Sequence, residues 1–489
     1  MRSTRSRLSA AAAIAGVAAL ALTACGGGGD ESGTSGASGD AGGTGGSEDT
    51  AAVAQAAWDS TEPVTISISD LPATSKPEVR QNFLTVIEDF EKENPNITVE
   101  PQEVTWAADT FPTMLASDTV PTVMDIPFTE MQPMIQRGQA ADVTDYVALD
   151  DALAESSETL VDMTRGDDGR QYGIPKDAYT MALYYNRALF DQAGLDKDNP
   201  PQTWDEVREA AKTIADKTDA QGFVFMTTEN TGGWVFTPIV NGFGGRTVSE
   251  DGTTATLDDP AVKQALQFYN DLRWEDNTAG SNFLVGFSDA NQIFASGQAG
   301  MYIAPGNQYK NLVTSLGMNK DDMGLAPLPQ DSDGIGTLAG GTDALISPKA
   351  EPEQIAAAVK WVSFQKFRQY TDQDFAVSQA EAQAADGTPV GLPNYPLVSQ
   401  ELLNTWLGWI QDKVDVPREN FALYIASMTP GDPAELALVP EPRFAGQQIY
   451  ALEDTMIQTV LTEQGSDLDA LIADTQSQAQ AAIDEASAQ

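Results

Sequence analysis

Tyr172-Gly173-Ile174-Pro175-Lys176-Asp177, with Leu183-Tyr184-Tyr185-Asn186-Arg187 shortly after it, decides the fold of this chain. The first segment reads as a strand that runs into a polar turn, and Leu183-Tyr184-Tyr185 resumes a strand. A chain that leaves one sheet and enters another in this way crosses between two bodies. Such a crossing lets the bodies close on each other through small φ/ψ changes in a few residues.

Outward from this crossing, strands alternate with helices, the pattern of α/β layers. Val64, Ile66 and Ile68 alternate with Thr65 and Ser67, which predicts a strand. Pro77 opens a helix whose apolar positions Val79, Phe83, Val86, Ile87 and Phe90 follow the 3.6 period, and Asn94-Pro95 stops it. Ile97, Val99 and Val104 mark the next strand. Thr122 to Ile126 is a third, followed by a helical stretch through Met131, Met134 and Ile135 to Gly138. Thr203-Trp204-Asp205-Glu206 reads as a capping box. Asp259-Pro260 and Pro352 open further helices. Leu468 to Ala488, rich in alanine and glutamine, is a last helix that either packs on one lobe or frays.

The chain start carries an export signature. Arg2, Arg5 and Arg7 precede an uncharged run from Leu8 to Leu22, too short to span a membrane comfortably. Leu22-Thr23-Ala24-Cys25 ends that run and resembles the lipobox of bacterial lipoproteins. That likeness implies acylation of the Cys25 thiol, removal of residues 1–24, and a lipid anchor at the outer face of the cell membrane in place of a transmembrane helix. The alternative is a plain signal peptide with an incidental cysteine near its cut. The glycine-rich segment that follows has nothing to bury and reads as a flexible tether over residues 25–60.

Composition narrows the function. The chain holds 72 acidic against 27 basic residues, a net charge of −45. That field repels nucleic acid and anionic membrane surfaces. With one cysteine there is no disulfide framework or thiolate metal site, and with no histidine the usual zinc ligand and general base are missing. Neither a metal nor another cofactor is expected. The 41% hydrophobic content is enough for two packed lobes.

Four segments carry a family likeness: Tyr172 to Asp177 with Leu183 to Arg187 and Ala193-Gly194-Leu195; Pro200 to Glu206; Phe294-Ala295-Ser296-Gly297-Gln298-Ala299-Gly300-Met301-Tyr302-Ile303; and Leu338-Ala339-Gly340-Gly341-Thr342-Asp343 leading into Ile346-Ser347-Pro348. In this order, behind a lipobox and a tether, the chain resembles the extracellular solute-binding proteins of bacterial ABC importers, in the family 1 carbohydrate-binding group. The likeness covers roughly residues 62–370 and is loose from Asp372 to Pro440. It implies a type II periplasmic-binding-protein-like clamshell, two α/β lobes with a ligand cleft at the hinge. The expected division is residues 61–176 with about 305–347 in lobe 1, and about 177–304 with about 348–440 in lobe 2. Residues 441–489 would be helices packing across both. The implied partners are a mono- or oligosaccharide and the membrane subunits of a permease, met by a monomer.

Sugar recognition needs aromatic faces against pyranose C–H faces and planar polar groups for paired hydroxyls. The resemblance places an aromatic platform at Trp234, which follows Asn230-Thr231-Gly232-Gly233; core packing is the alternative. Asp125, Phe128, Thr129 and Glu130 lie at a strand end, where open α/β sheets bind ligands, although Thr129 and Glu130 can equally cap the next helix. The family's common aspartate is replaced here by Pro121-Thr122-Val123. Asp177 and Tyr179 line the crossing or a solvated loop. Asn307 and Tyr309 stand where the family often carries tryptophan. Gly340 and Gly341 allow close backbone approach and Asp343 can accept from hydroxyls, unless they form only a tight turn. Trp106 follows the second strand. Trp406 and Trp409, three apart on a helical stretch, share one face, a spacing that suits core packing as well as a cleft.

Two other readings fit parts of this pattern. A binder of polyamines or other cations would hold several carboxylates and little aromatic surface. An exported glycoside hydrolase would also use acids and aromatics. No Gly-x-Ser-x-Gly elbow or zinc motif is present, and no residue is assigned a catalytic role.

Overall fold

In a computed structural model, which describes residues 47–107 and 110–487, the alternating segments form strands β1 (Val64–Ile68), β2 (Ile97–Pro101), β3 (Val123–Pro127), β4 (Gly173–Asn186), β5 (Gln221–Phe223), β6 (Ala299–Pro305), β7 (Met323–Pro327), β8 (Thr337–Ile346) and β9 (Leu438–Pro440). Their order is β2-β1-β3-β8-β4-β6-β5, with β7 beside β4 and β9 beside β8. The helix Pro77–Glu93 begins at its proline, as expected. The Thr203–Glu206 capping box closes in both directions, each bond 3.3 Å, an arrangement worth about 1 kcal/mol.

β4 organises the molecule. Its first half pairs with β8, Gly173 opposite Leu345 through Thr180 opposite Ala339. Its second half, from Met181 to Asn186, pairs with β6 and β7. The polar turn expected at Lys176-Asp177 is instead a register shift inside one continuous strand. Lys176 is 5% exposed and donates to both carboxylate oxygens of Asp125 at 2.6 and 2.8 Å. A charge that finds its partner inside the sheet has no need of a solvated turn.

Two main hydrophobic clusters flank this strand. The first holds Ile66, Ile87, Phe90, Val123, Ile174 and Ile346. The second holds Leu183, Tyr184, Val207, Phe236, Tyr302 and Leu325. Residues between β6 and β8, among them Tyr309, Leu312, Met323 and Leu325, bury into the second cluster, and Val359, Trp361 and Val362 into the first. The expected division assigned 305–347 and 348–440 the other way at these places. The reason lies in register: β7 hydrogen-bonds to the second half of β4, and the helix Pro352–Val362 lies on β1.

Both ends also depart from expectation. Cys25, the signal segment and the tether up to residue 46 lie outside the described residues. The rest of the expected tether is ordered: Ser47–Trp58 is a helix that buries Ala54 and Ala57 in the first cluster, and Lys360 Nζ donates to Trp58 O at 2.7 Å. Alanine has the strongest helix propensity, and Ala54 and Ala57, three apart, lie on one face and dock. At the other end, the helices Gly446–Thr462 and Leu468–Ser487 do not pack across both clusters. Ile449, Met456, Ile457, Ile472, Ala479 and Ile483 all enter the second. The glutamines of the last helix explain its order, since Gln476 and Gln480 hydrogen-bond the backbone of Leu257 and Ala255.

Candidate functional site

A cavity of about 370 Å³ opens between the helix Phe128–Gln136, which continues from β3, and the helix Thr231–Gly242 of the second cluster. The loop 246–250 and the segment 438–443 complete its wall. Elements packed on different clusters therefore face one space, of the size that holds small polar ligands, about 300–1,000 Å³.

After its first residue, Thr231, the Thr231–Gly242 helix is apolar except at Thr237 and Asn241, which are four apart and share a face. Both line the cavity. Asn241 is buried, and neither its amide nitrogen nor its carbonyl oxygen has a partner among the described residues. A buried planar amide of this kind offers one donor and one acceptor edge at the wall. This helix sits close because its glycines let it: a Cβ on Gly233 would meet the Tyr450 backbone oxygen, and one on Gly232 would lie 2.5 Å from Asp454 Oδ1. Asp454 in turn accepts from the amides of Asn230 at 2.7 Å and Gly233 at 2.8 Å.

Trp234 follows directly. Its indole Nε1 donates to Glu441 Oε1 at 2.9 Å, and its ring meets Tyr179 edge-on at 6.1 Å between centroids, with Phe287 also at 6.1 Å. Glu441 lines the cavity and takes a second, longer bond from the Tyr450 hydroxyl. Desolvation pushes its carboxyl up to about 7, partly offset by those donors and reinforced by Glu130. Burial likewise raises Glu130.

Among the residues expected from sequence, Phe128 and Thr129 line the cavity, while Trp234 and Tyr179 adjoin it through Glu441 and the strand floor. Gly340 lies opposite Tyr179 in the ladder, and a Cβ there would strike the tyrosine hydroxyl. A Cβ on Gly341 would meet the Asp177 backbone oxygen and lie 2.7 Å from Phe128 Cζ. The two glycines thus let aromatic rings lie on the crossing strands. Asp177 stands beside Gly341, with burial raising its carboxyl against the pull of Lys366.

Other candidates lie elsewhere. Asp125 is engaged by Lys176. Asp343 is 1% exposed, and neither carboxylate oxygen has a partner among the described residues; burial and the nearby Asp125 charge hold its carboxyl well above the usual range. Tyr309 is 2% exposed and packs edge-on against Phe421, because the chain after β6 turns Leu312 and Tyr309 into the core. The Asn307 side-chain oxygen accepts from Gln308. Trp106 packs beside Phe111, Met124 and Met134 in a satellite cluster. Trp406 rests against Tyr370 and, with Trp409, on a further small cluster, so their shared face is a packing face. Trp406 also borders a separate groove of about 100 Å³ with Leu392 and Arg418.

Glu441, Arg443, Arg246, Gln132 and Asn241 escaped the sequence reading. The Thr237–Asn241 pair in an apolar helix was a usable signal. The three others distant from it, 246, 441 and 443, fall in loops with no periodicity to read.

Comparison with known proteins agrees with this architecture. A family model described as bacterial extracellular solute-binding protein matches residues 73–371. The chain belongs to that family. The diacetylchitobiose binding protein DasA of Streptomyces coelicolor is 26% identical over 316 residues, 63% of this chain and 71% of that one. A binding protein of Brucella abortus is 28% identical over 270 residues; the match spans 54% of this chain and 63% of that relative's length. Among solved structures, the GacH receptor of Streptomyces glaucescens, determined unliganded and with acarbose, has a TM-score of 0.64 at 22% identity over 86% of this chain and 98% of that one. The fold is thus that of the two-lobed solute-binding proteins. No helix among the described residues is long and apolar enough to cross a membrane.

Proposed function

We propose that this chain is the solute receptor of an ABC importer and captures a mono- or oligosaccharide by closing its two lobes. One observation carries this reading: a cavity walled on one side by the helix Phe128–Gln136, whose Met131 and Met134 pack in the satellite cluster, and on the other by the helix Thr231–Gly242 of the second cluster, has the unpartnered amide of Asn241 in its wall. A ligand bearing hydroxyls satisfies such an amide, and one lacking them leaves it unpaired, which makes the site discriminating. Phe128 supplies aromatic surface with Trp234 and Tyr179 behind it; Thr129 at the helix start supplies a polar group with Glu130 next to it; Ala339 lies in the wall, and Gly340, Gly341 and Asp177 follow it on the crossing strands.

The mechanism is population shift. β4 and β8 connect the two sheet halves, and a ligand touching both walls favours the closed arrangement because only there are both sets of contacts made. The closed form is what the permease subunits would engage. Acylation at Cys25 and the tether would hold a monomeric receptor at the outer membrane face near its permease, at raised effective concentration.

The cation-binding alternative fits this wall poorly, since two arginines line it. The relatives are binding proteins, which favours capture over hydrolysis. Thermal unfolding against a panel of saccharides and polyamines tests the reading. A saccharide at a hundredfold its dissociation constant should stabilise the protein by about 2.7 kcal/mol. Stabilisation by polyamines alone, or turnover of labelled oligosaccharides, would contradict it.

A further inference from the structure

Among the described arginines, six (Arg80, Arg165, Arg170, Arg187, Arg208 and Arg368) are engaged by carboxylates, while Arg273 and Arg418 are held by backbone carbonyls. The two that line the cavity differ. Arg246 makes no side-chain hydrogen bond, ion pair or ring contact among the described residues, although acids outnumber bases 72 to 27. Arg443 touches no carboxylate either; its Nη2 donates to Gln132 Oε1 at 2.8 Å.

That second contact is oriented. The Gln132 amide nitrogen donates to Met163 O at 2.9 Å and Arg165 O at 2.8 Å. With its nitrogen committed to two carbonyls, the amide must turn its oxygen toward Arg443. The guanidinium is therefore held at the wall by a neutral acceptor, with its charge uncompensated.

The acids on the same wall do not cancel these charges. Asp162 is paired with Arg165, the Glu441 carboxyl accepts from Trp234 and Tyr450 and is shifted by burial toward its neutral form, and Glu250 is exposed. A guanidinium's rigid fork matches carboxylate and phosphate oxygens. Both guanidiniums are partly exposed to the cavity, and an anionic ligand would replace the water around them with oxygens that match the fork.

Building on the capture reading above, we infer that the ligand is a polyol or sugar carrying an anionic group, a phosphate ester or a carboxylate, held by Arg246 and Arg443. The hydroxyls meet Asn241 and the aromatic wall; the anion meets the two guanidiniums. Local complementarity has to overcome the repulsive field of the whole chain, so the anion-binding step depends on these two side chains.

Calorimetric titration of the intact chain tests this. The probes are sn-glycerol 3-phosphate, glucose 6-phosphate and glucuronate, each beside glycerol or glucose, with maltose and chitobiose as neutral disaccharides. At least one anionic probe should bind tenfold or more tightly than its neutral parent. Preference for the phosphates over glucuronate, or the reverse, identifies the anion. Arg246→Ala should abolish that preference while the melting temperature stays unchanged, and Arg443→Gln, which keeps a donor to Gln132, should reduce it. Neutral saccharides binding as tightly as the anionic probes, with Arg246→Ala without effect, would overturn the inference and leave the saccharide reading standing. Binding of no probe in either class would remove both.

Discussion

The indole nitrogen of Trp234 and the carboxylate of Glu441, distant in sequence, are joined by one hydrogen bond of 2.9 Å at the edge of the cavity. The bond fixes the ring of a tryptophan that begins a helix on the second cluster to a loop that closes the cavity wall. A large aromatic side chain held in one orientation presents its surface at low entropic cost.

Trp234→Ala should therefore weaken ligand binding about tenfold, because it frees Glu441 in the cavity wall and removes the ring that backs it. Trp234→Phe keeps a ring and loses the bond to Glu441, and should fall between. Titration with whichever saccharide stabilises the wild type checks both, and equal affinities would remove Trp234 from the site.

Stability should fall as pH rises through the range set by Glu441. In the native state its carboxyl releases its proton at about 7, while the unfolded chain releases it near 4.5. Between those values the native state binds more protons, so the slope of unfolding free energy with pH is negative, and above 7 this contribution is flat. Glu453 and Asp343 are shifted in the same direction by burial and add to the fall. Glu441→Gln should flatten the curve, with a gain of up to about 3 kcal/mol at pH 8. Denaturant midpoints from pH 4.5 to 8.5 measure it.

Gly233→Ala should be strongly destabilising. Its Cβ would meet the backbone of Tyr450, which cannot swing aside as a side chain could. Forced separation of two packed helices costs about 1–3 kcal/mol. Trp234 rides on the same turn, so ligand affinity should drop with stability. A variant that melts normally would show that the two helices can part without loss.

Asp125→Asn should lower stability by about 3 kcal/mol, because it leaves Lys176 almost fully buried without its charge partner. Asp125 thus serves the strand crossing. Unchanged melting would mean that Lys176 reaches solvent or another acid, and chemical denaturation reads it directly.

Much of the fold was legible because its elements carry regular signals. The alternation at Val64–Ile68, the proline starts at Pro77, Pro260 and Pro352, and the Thr203–Glu206 box all became the elements they announce. The helix Ser47–Trp58 was hidden by its neighbour. Between the glycine-rich tract and the alanine-rich one lie only Ser47-Glu48-Asp49-Thr50, which are as polar as the tether, and the contact of Ala54 and Ala57 with the first cluster is not visible in the sequence. Lys176-Asp177 read as a turn because polarity is a local signal, whereas the Asp125 carboxylate that accepts Lys176 lies on another strand.

The site was less legible. Trp234 stood out beside its glycines, and Phe128 and Thr129 by their place at a strand end. Tyr309 failed because a tyrosine after a strand looks the same whether it faces a cleft or Phe421. Glu441, Arg443 and Arg246 lie in loops brought together only by folding, so no spacing along the chain relates them.

The most direct test is a crystal structure of the chain with the saccharide or sugar anion that raises its melting temperature furthest. The account predicts that ligand density fills the space between Phe128 and Asn241, with hydroxyls on the Asn241 amide and contacts to both walls. Density at another surface, or a ligand touching only one of the two walls, would contradict it.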